Sequence, residues 1–526
     1  MILTTARPQP VLFFFNTLRE GVFKFIRLLV LLLLPGTIEA RATAAQPPTV
    51  SAAAASSITT TSAVVAGTIN PNGLFTMYNV QWGTTTAYGS MSYPPLSAWG
   101  GNTPTAFTAG LSPLTPDTTY HYQFVATNSA GVASSADLAF TTLGMFSSEG
   151  HVFTYARENG AITIVAYSGP GGTVPIPGTI AGLPVAAIAN FVFANLTTLT
   201  GVTFPNTVTI LGDSAFSGCS GLTSITLPNS LTNLGAATFS GCTSLQSVTL
   251  PASLTGISDD AFKSCASLTA ITIPDSITSI GNDAFSAATK LTGVTIPDSV
   301  TNLGAEAFFG CTSLASLTIG NGITSIRGGS GLGLGGTFQN CTSLTRVTIP
   351  DNVTNIEDGT ETIGGPDGAF FYCTSLTNVT VGQGLTYLGL GAFSWCTNLA
   401  GVYFRGNAPT PGQSPGFGEE IFYGAPAIAY YLPGTTGWGP TFSTIHTALW
   451  NPQAQRGNAS FGVRQNRFGF NITGTADIPL VVEASTTVAA QSWVPLQSCT
   501  LTNGLIYFSD PQWTDYPSRV YRIRSP

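Results

Sequence analysis

Between residues 193 and 422 the apolar positions return at a regular distance. Phe stands at Phe193, Phe216, Phe239, Phe262, Phe285 and Phe308, a step of 23 residues, then at Phe338, Phe370, Phe393 and Phe422 after steps of 30, 32, 23 and 29. Three residues after each Phe comes Cys219, Cys242, Cys265, Cys311, Cys341, Cys373 or Cys396, with Leu196, Ala288 and Ala425 in the remaining copies. Aliphatic residues follow three, six and eight positions later, as in Leu222, Ile225 and Leu227, or Leu268, Ile271 and Ile273. Two aliphatics two apart lie on one face of a short strand. The prolines that follow (Pro228, Pro251, Pro274 and Pro297) end that strand, because proline has no N–H to donate. A unit this small cannot close a core by itself, so the units must stack on one another. The pattern predicts a solenoid over residues 150–435, with a parallel sheet along one wall. Phe216, Phe239, Phe262, Phe285 and Phe308, together with Cys219, Cys242, Cys265 and Cys311, fill its interior as two ladders.

The flanking segments change period. Over residues 47–145, "MYNVQWGTTTAYGS" (77–90) and "TTYHYQFVATNSAG" (118–131) alternate apolar and polar residues between Gly, Pro and Asn turns, which predicts strands. The stretch "GLSPLTPDTTYHYQFVATNSAG" resembles the late strands of a fibronectin type III domain. The resemblance makes Tyr120 its corner tyrosine, Asn128 and Gly131 the marks of the following turn, and Trp82 a core residue of an earlier strand. Residues 460–526 hold five further strand candidates: "FGFNITG", "IPLVVEAST", "WVPLQSC", "GLIYFSD" and "RVYRIRS". They predict a small C-terminal β-sandwich and resemble a module recurrent in exported multidomain proteins. At the N-terminus, Arg19, Lys24 and Arg27 precede "LLVLLLLPG", and Ala40-Arg41-Ala42 offers small residues for cleavage. This is the layout of a signal peptide over residues 1–42. Its apolar run is shorter than the roughly 20 residues a membrane span needs. The expectation is a secreted or cell-surface protein with no span after processing.

Composition narrows the function classes. Charged residues make up 8% of the chain, against about 25% in average soluble proteins. Solubility therefore rests on Thr, Ser, Asn and Gly. Residues 43–526 carry 12 Lys/Arg and 22 Asp/Glu, a formal charge of −10, which disfavours nucleic acid as a partner. Three histidines in the whole chain leave little for acid–base catalysis, and no G-x-S-x-G elbow accompanies them. The expectation is no enzyme activity, no cofactor and no metal.

The repeated unit "F-x-x-C-x-x-L-x-x-V/I-x-I/L-P" resembles the leucine-rich repeat of the BspA type, found in bacterial surface antigens and adhesins. "ITIVAYSGPGGTVPIPGTIAGLPVAAIANFVF" (162–193) resembles that family's entry unit. The resemblance implies attachment to extracellular ligands without catalysis. A second reading keeps the solenoid as a spacer and gives recognition, of a glycan or in support of an enzyme, to the β-sandwich ends.

Candidate binding residues come from departures from the period. The step to Phe338 gains seven residues (Arg327–Thr337) and the step to Phe370 gains nine (Glu357–Ala369). Both enter between the second aliphatic pair and the Phe, so both emerge from one edge, which suits binding or tolerated surface drift. A third insertion, Gly406–Glu420, is expected elsewhere in the repeat. Arg327, Glu357, Asp358, Glu361 and Asp367 are the charged candidates, and the four carboxylates read either as a solvated acidic loop or as oxygen ligands for calcium. An outward row, Thr203, Thr226, Thr249, Thr272, Thr295, Thr318, Thr348 and Thr380, ends in Tyr403, a further candidate. Such a row keeps an uncharged sheet soluble, and regular Thr rows also order water on ice-binding sheets. For the cysteines, adjacent rungs permit bridging by spacing, but parallel Cβ vectors favour packed thiols.

Overall fold

The computed structural model describes residues 44–92, 96–98, 100–329, 335–362, 365–413, 420–457, 459–488 and 492–524. The predicted signal segment lies outside them. Among the described residues the secondary structure is β-strand throughout, with two short 3-10 turns near the C-terminus.

The N-terminal part is two antiparallel sheets. Thr49–Ser56, Ala63–Asn70 and Thr105–Leu111 pair in that order in one sheet. In the other, Thr76–Gly83 pairs with Ser90–Met91, with Leu96–Ala98 and with Thr119–Asn128, which in turn pairs with Gly131–Ser134 and Leu138–Thr141. Alternation is the cause. Along Thr119–Asn128 the even positions, including Tyr120, Tyr122, Phe124 and Ala126, are buried, and Tyr120, Tyr122 and Phe124 form a core of their own with Val65, Val80 and Phe140. Trp82 packs against this core half-buried. The N–H of Thr115 donates to the Tyr120 hydroxyl at 3.0 Å, which ties the turn to the strand. Asn128 faces Gly131 across the turn, and its Oδ1 accepts from the Ala130 N–H at 2.9 Å.

The pairing then changes sense. Gly144–Ser148, His151–Glu158 and Ala161–Ser168 are antiparallel. Ala161–Ser168 next pairs in parallel with Leu183–Ile188, and from there parallel pairing continues along one wall through Ile210–Leu211 and Asn233–Leu234. A bidentate contact binds this entry to the N-terminal part. Arg157 Nε and Nη2 donate to the two carboxylate oxygens of Asp117 at 2.5 Å, and the Tyr155 hydroxyl donates to Oδ2 at 2.9 Å.

The middle of the chain is a solenoid with two parallel strand columns and a third side of turns. One column runs through Ser224–Thr226, Ser247–Thr249 and Ala270–Ile271, and later through Arg346–Ile349, Asn378–Val381, Gly401–Phe404 and Ile428–Tyr431. The other runs through Gly256–Ile257, Ser279–Ile280 and Asn302–Leu303, then through Ser325–Ile326, Asn355–Ile356, Tyr387–Leu388 and Thr410–Pro411. From Phe193 to Phe422 the phenylalanine rings stack rung on rung, centroids 4.9 to 5.8 Å apart and planes within 12°.

The cysteines form the second interior column. All seven ladder cysteines are buried and free, and each Sγ donates to the carbonyl of the Phe one rung earlier. Cys219 reaches Phe193 O at 3.1 Å, Cys242 reaches Phe216 O at 3.2 Å and Cys311 reaches Phe285 O at 3.3 Å. A small apolar group with a weak donor suits a site that holds one otherwise open carbonyl. Burial raises the Cys219 thiol to about 11 and those of Cys265, Cys311 and Cys373 to about 12. They stay protonated at neutral pH and react slowly. Thiol titration of the folded protein is expected to label Cys499, the one half-buried cysteine, and to label the ladder only on unfolding. Cys242→Ala is expected to lower stability by about 1 kcal/mol. Loss of the fold on mild reduction would refute this account of the ladder.

The C-terminal module pairs Arg467–Thr473 with Gln453–Ala454, Gly462–Arg464 and Leu505–Asp510, and Pro479–Ser485 with Val494–Thr500 and Val520–Arg524. Its core, including Phe470, Ile472, Leu480, Val482 and Phe508, also takes in Tyr403 and Tyr430 from the solenoid. The Trp450 indole N–H donates to the Pro479 carbonyl at 3.0 Å across the same joint. The module thus sits on the last rungs.

Candidate functional site

The edge that carries the insertions is built on an undisturbed frame. Ser325 still pairs with Asn355, and Asn355 with Tyr387, although 30 and 32 residues separate them instead of 23. The ring stack likewise continues from Phe308 through Phe338 to Phe370 at 5.6 and 5.2 Å. All the extra length is therefore expelled between the second strand column and the Phe turn. The two loops lie against each other. A Cβ on Gly328 would collide with the carbonyl oxygens of Glu357 and Asp358, and one on Gly336 with the backbone of Gly368. Thr337 closes the first loop, its N–H and hydroxyl donating to the Arg327 carbonyl at 3.1 and 3.2 Å. In the second loop Thr360–Thr362 and Gly365–Asp367 form a hairpin, anchored where the Gly359 N–H donates to Leu390 O at 2.8 Å.

The third insertion joins them, which corrects the expectation that it enters elsewhere. Thr410–Pro411 pairs with Tyr387–Leu388 as a regular strand of the second column, so the extra residues come after it, at the same edge. The Gly- and Pro-rich sequence hides this strand. Pro411 is tolerated because its strand is the last of its sheet. Residues 330–334 and 414–419 of these loops, residues 363 and 364, and the Glu361 side chain lie outside the described residues.

A family model described as a BspA type leucine rich repeat region, six copies in all, matches residues 183–292, 255–360 and 331–424. The chain carries a BspA type leucine rich repeat region. Solved structures similar to it include a leucine rich cell surface protein from Faecalibacterium prausnitzii, 22% identical, covering 50% of this chain and 95% of that one with a TM-score of 0.24. A leucine rich repeat protein of T. pallidum is 27% identical over 47% of this chain and 87% of that one, with a TM-score of 0.27. One from Bacteroides ovatus is 20% identical over 58% and 100%, with a TM-score of 0.26. No curated protein matches the chain.

Within the BspA type region the charged candidates do not converge. Glu357 accepts from the Ser325 hydroxyl at 2.9 Å and lies 4.0 Å from the Arg327 guanidinium. Asp358 turns the other way, accepting from the Leu390 N–H at 2.8 Å and from the Tyr387 hydroxyl at 2.7 Å. Asp367 sits in the hairpin, its pKa raised by burial against a lowering hydrogen bond from Gln339. These carboxylates pin one rung to the next. Among the described residues no group of three or more His, Cys, Asp or Glu is placed to hold a metal ion.

Tyr403 also differs from its expectation. It ends the outward Thr row, whose members from Thr203 to Thr348 are exposed. Tyr403 itself is only 5% exposed. Its ring stacks on Tyr430 at 4.9 Å beneath the C-terminal module, so it is a joint residue and not a contact surface.

A set of residues escaped the sequence reading. The second residue after each Phe has a positive φ, between 57° and 73°, in all ten rungs. Most are Gly, Asn, Ser or Ala, from Asn195 to Asn340, but Tyr372 and Trp395 take the same conformation. A left-handed backbone costs a bulky residue about 1–2 kcal/mol. The available signal was an aromatic where the period otherwise supplies small or amide residues.

Proposed function

We propose that the chain is an exported, non-catalytic adhesion protein whose solenoid contacts extracellular ligands through the insertion-bearing edge. In this reading residues 47–145 are a fibronectin type III-like spacer, 150–435 the binding solenoid and 460–526 a C-terminal cap. The observation that carries it is the convergence of three insertions at one edge while strand register and ring stacking continue beneath them. Drift would distribute extra residues over all the turns of the repeat. Gly-rich loops lose conformational freedom on contact, which suits adaptable recognition of moderate affinity. The pairing order of the two N-terminal sheets and the Tyr120 tie support the fibronectin-type assignment. The basic flank, short apolar run and small-residue site of residues 1–42 support export. Among the described residues no helix is long and apolar enough to cross a membrane. The packing of Tyr403 and Tyr430 into the C-terminal core supports a capping role for that module over a recognising one.

The test is to shorten Arg327–Thr337 and Glu357–Ala369 to the connection of the regular repeats. The shortened protein is expected to keep its melting temperature and to bind immobilised extracellular proteins at least tenfold more weakly, about 1.4 kcal/mol. Unchanged attachment would move recognition to a sheet face or to the end domains.

A further inference from the structure

The last three rungs place Tyr or Trp rings on the outside of the solenoid, where among the earlier rungs the equivalent pair carries one aromatic, the half-buried Phe309. The pair of residues after the core Phe reads Ser217-Gly218, Ser240-Gly241, Lys263-Ser264 and Ser286-Ala287 early in the repeat. It reads Phe371-Tyr372, Ser394-Trp395 and Tyr423-Gly424 at the end. Tyr372 and Tyr423 are 45% and 46% exposed, and Trp395 is half-buried between them in rung order. The backbone brings the rungs together: the Tyr372 N–H donates to Ser394 O, and the Trp395 N–H to Tyr423 O. The Trp395 and Tyr423 rings meet edge to face at 5.4 Å.

The fold does not need these rings. At the same position Asn195, Gly241 and Asn340 make the same left-handed turn, and Gly and Asn do so with the least strain. Two bulky residues kept in that conformation on adjacent rungs point to a use outside the core. The surroundings define what they meet. From Gly368 to Phe404 the chain has no Asp, Glu, Lys or Arg, so Tyr372 and Trp395 stand in an uncharged stretch, and Glu420 is the charged residue that precedes Tyr423. The backbone positions of Tyr372 and Trp395 are one rung, about 4.8 Å, apart along the axis, and Tyr423 follows on the next rung one residue off that register. A row of this kind fits an extended chain, not a compact molecule. A sugar ring presents an apolar face of C–H groups whose positive hydrogens suit the negative face of an aromatic ring. The hydroxyls at its rim suit neutral partners such as Asn340 and Thr397, both at least partly exposed here.

We propose that Tyr372, Trp395 and Tyr423 form a stacking platform for one chain of an uncharged polysaccharide. This rests on the reading of the solenoid as a binding module and names a ligand class for its insertion-bearing end. The test uses the full chain in native gels containing hydroxyethylcellulose, xyloglucan, galactomannan or soluble starch. Retardation by at least one of them is expected. The variant Y372N/W395N/Y423S carries residues other rungs already use, so it is expected to melt within about 4 °C of the parent. Its dissociation constant is expected to rise at least tenfold. Should the triple variant melt much earlier, Y423S alone decides the matter. Its backbone is unstrained by the change, and a threefold weaker retardation is expected. No retardation of the parent in any gel, or equal retardation of parent and Y423S, overturns the proposal. Loss of capture by immobilised fibronectin or collagen in Y423S, without any polysaccharide effect, also overturns it in favour of a protein partner. The protein with shortened loops is expected to keep its retardation while losing protein attachment, so the two readings fail separately.

Discussion

Phe262→Ala is expected to destabilise the solenoid by about 3–5 kcal/mol, the range for emptying a buried aromatic site. The ring is fully buried and stacks on Phe239 and on Phe285, both at 5.5 Å. Alanine would open a gap in the column that the adjacent rungs cannot close. Their positions are set by parallel backbone pairing in register, Gly256 to Ser279 and Ser279 to Asn302. Each rung contacts only its neighbours, so the damage should be local at first. Hydrogen exchange is expected to accelerate most between residues 239 and 285 and to leave Val65, Val80 and Phe124, which belong to a separate core, protected. Simultaneous loss of protection in that N-terminal core would show that the parts fold as one unit and not as separate ones.

Arg519→Met is expected to cost the C-terminal module about 3–5 kcal/mol, the penalty for leaving a buried charge without its partner. Arg519 Nε lies 3.0 Å from Asp510 Oδ2, and the two side chains are 8% and 2% exposed. Once the guanidinium is gone, Asp510 keeps the Tyr521 hydroxyl at 2.9 Å and the Gln512 N–H at 2.9 Å, both neutral donors. A module this small has little stability to lose. It should melt before the solenoid, uncovering Tyr403 and Tyr430, and the Trp450 fluorescence should shift to the red as that joint opens. Adding D510N to R519M removes the charge as well as its partner and is expected to recover part of the loss. No recovery would mean that the arginine acts through packing over Tyr516, which its guanidinium covers at 4.1 Å.

What the amino-acid sequence determined by itself was everything that repeats. Phe216 through Phe308, the Cys positions and the alternating aliphatics recur because each rung solves the same packing problem against an identical neighbour. One rung's chemistry is therefore legible from the period alone. The alternation around Tyr120 and Tyr122, and the strands of the C-terminal module, are legible for the same kind of reason: a half-buried strand writes its burial into every second residue. What only the tertiary structure decided concerns relations between residues one rung or more apart. Whether Cys219 bridges or packs depended on where its sulfur points, and it points at the Phe193 carbonyl. Whether Glu357 and Asp358 gather around an ion depended on Ser325 and Leu390, 32 residues away in the chain and one rung away in space. Thr410–Pro411 reads as a loop until Tyr387–Leu388 supplies the strand it pairs with. Tyr403 reads as surface until the C-terminal module covers it. Strand periodicity tells which way a side chain faces, but only the assembled fold tells what it faces.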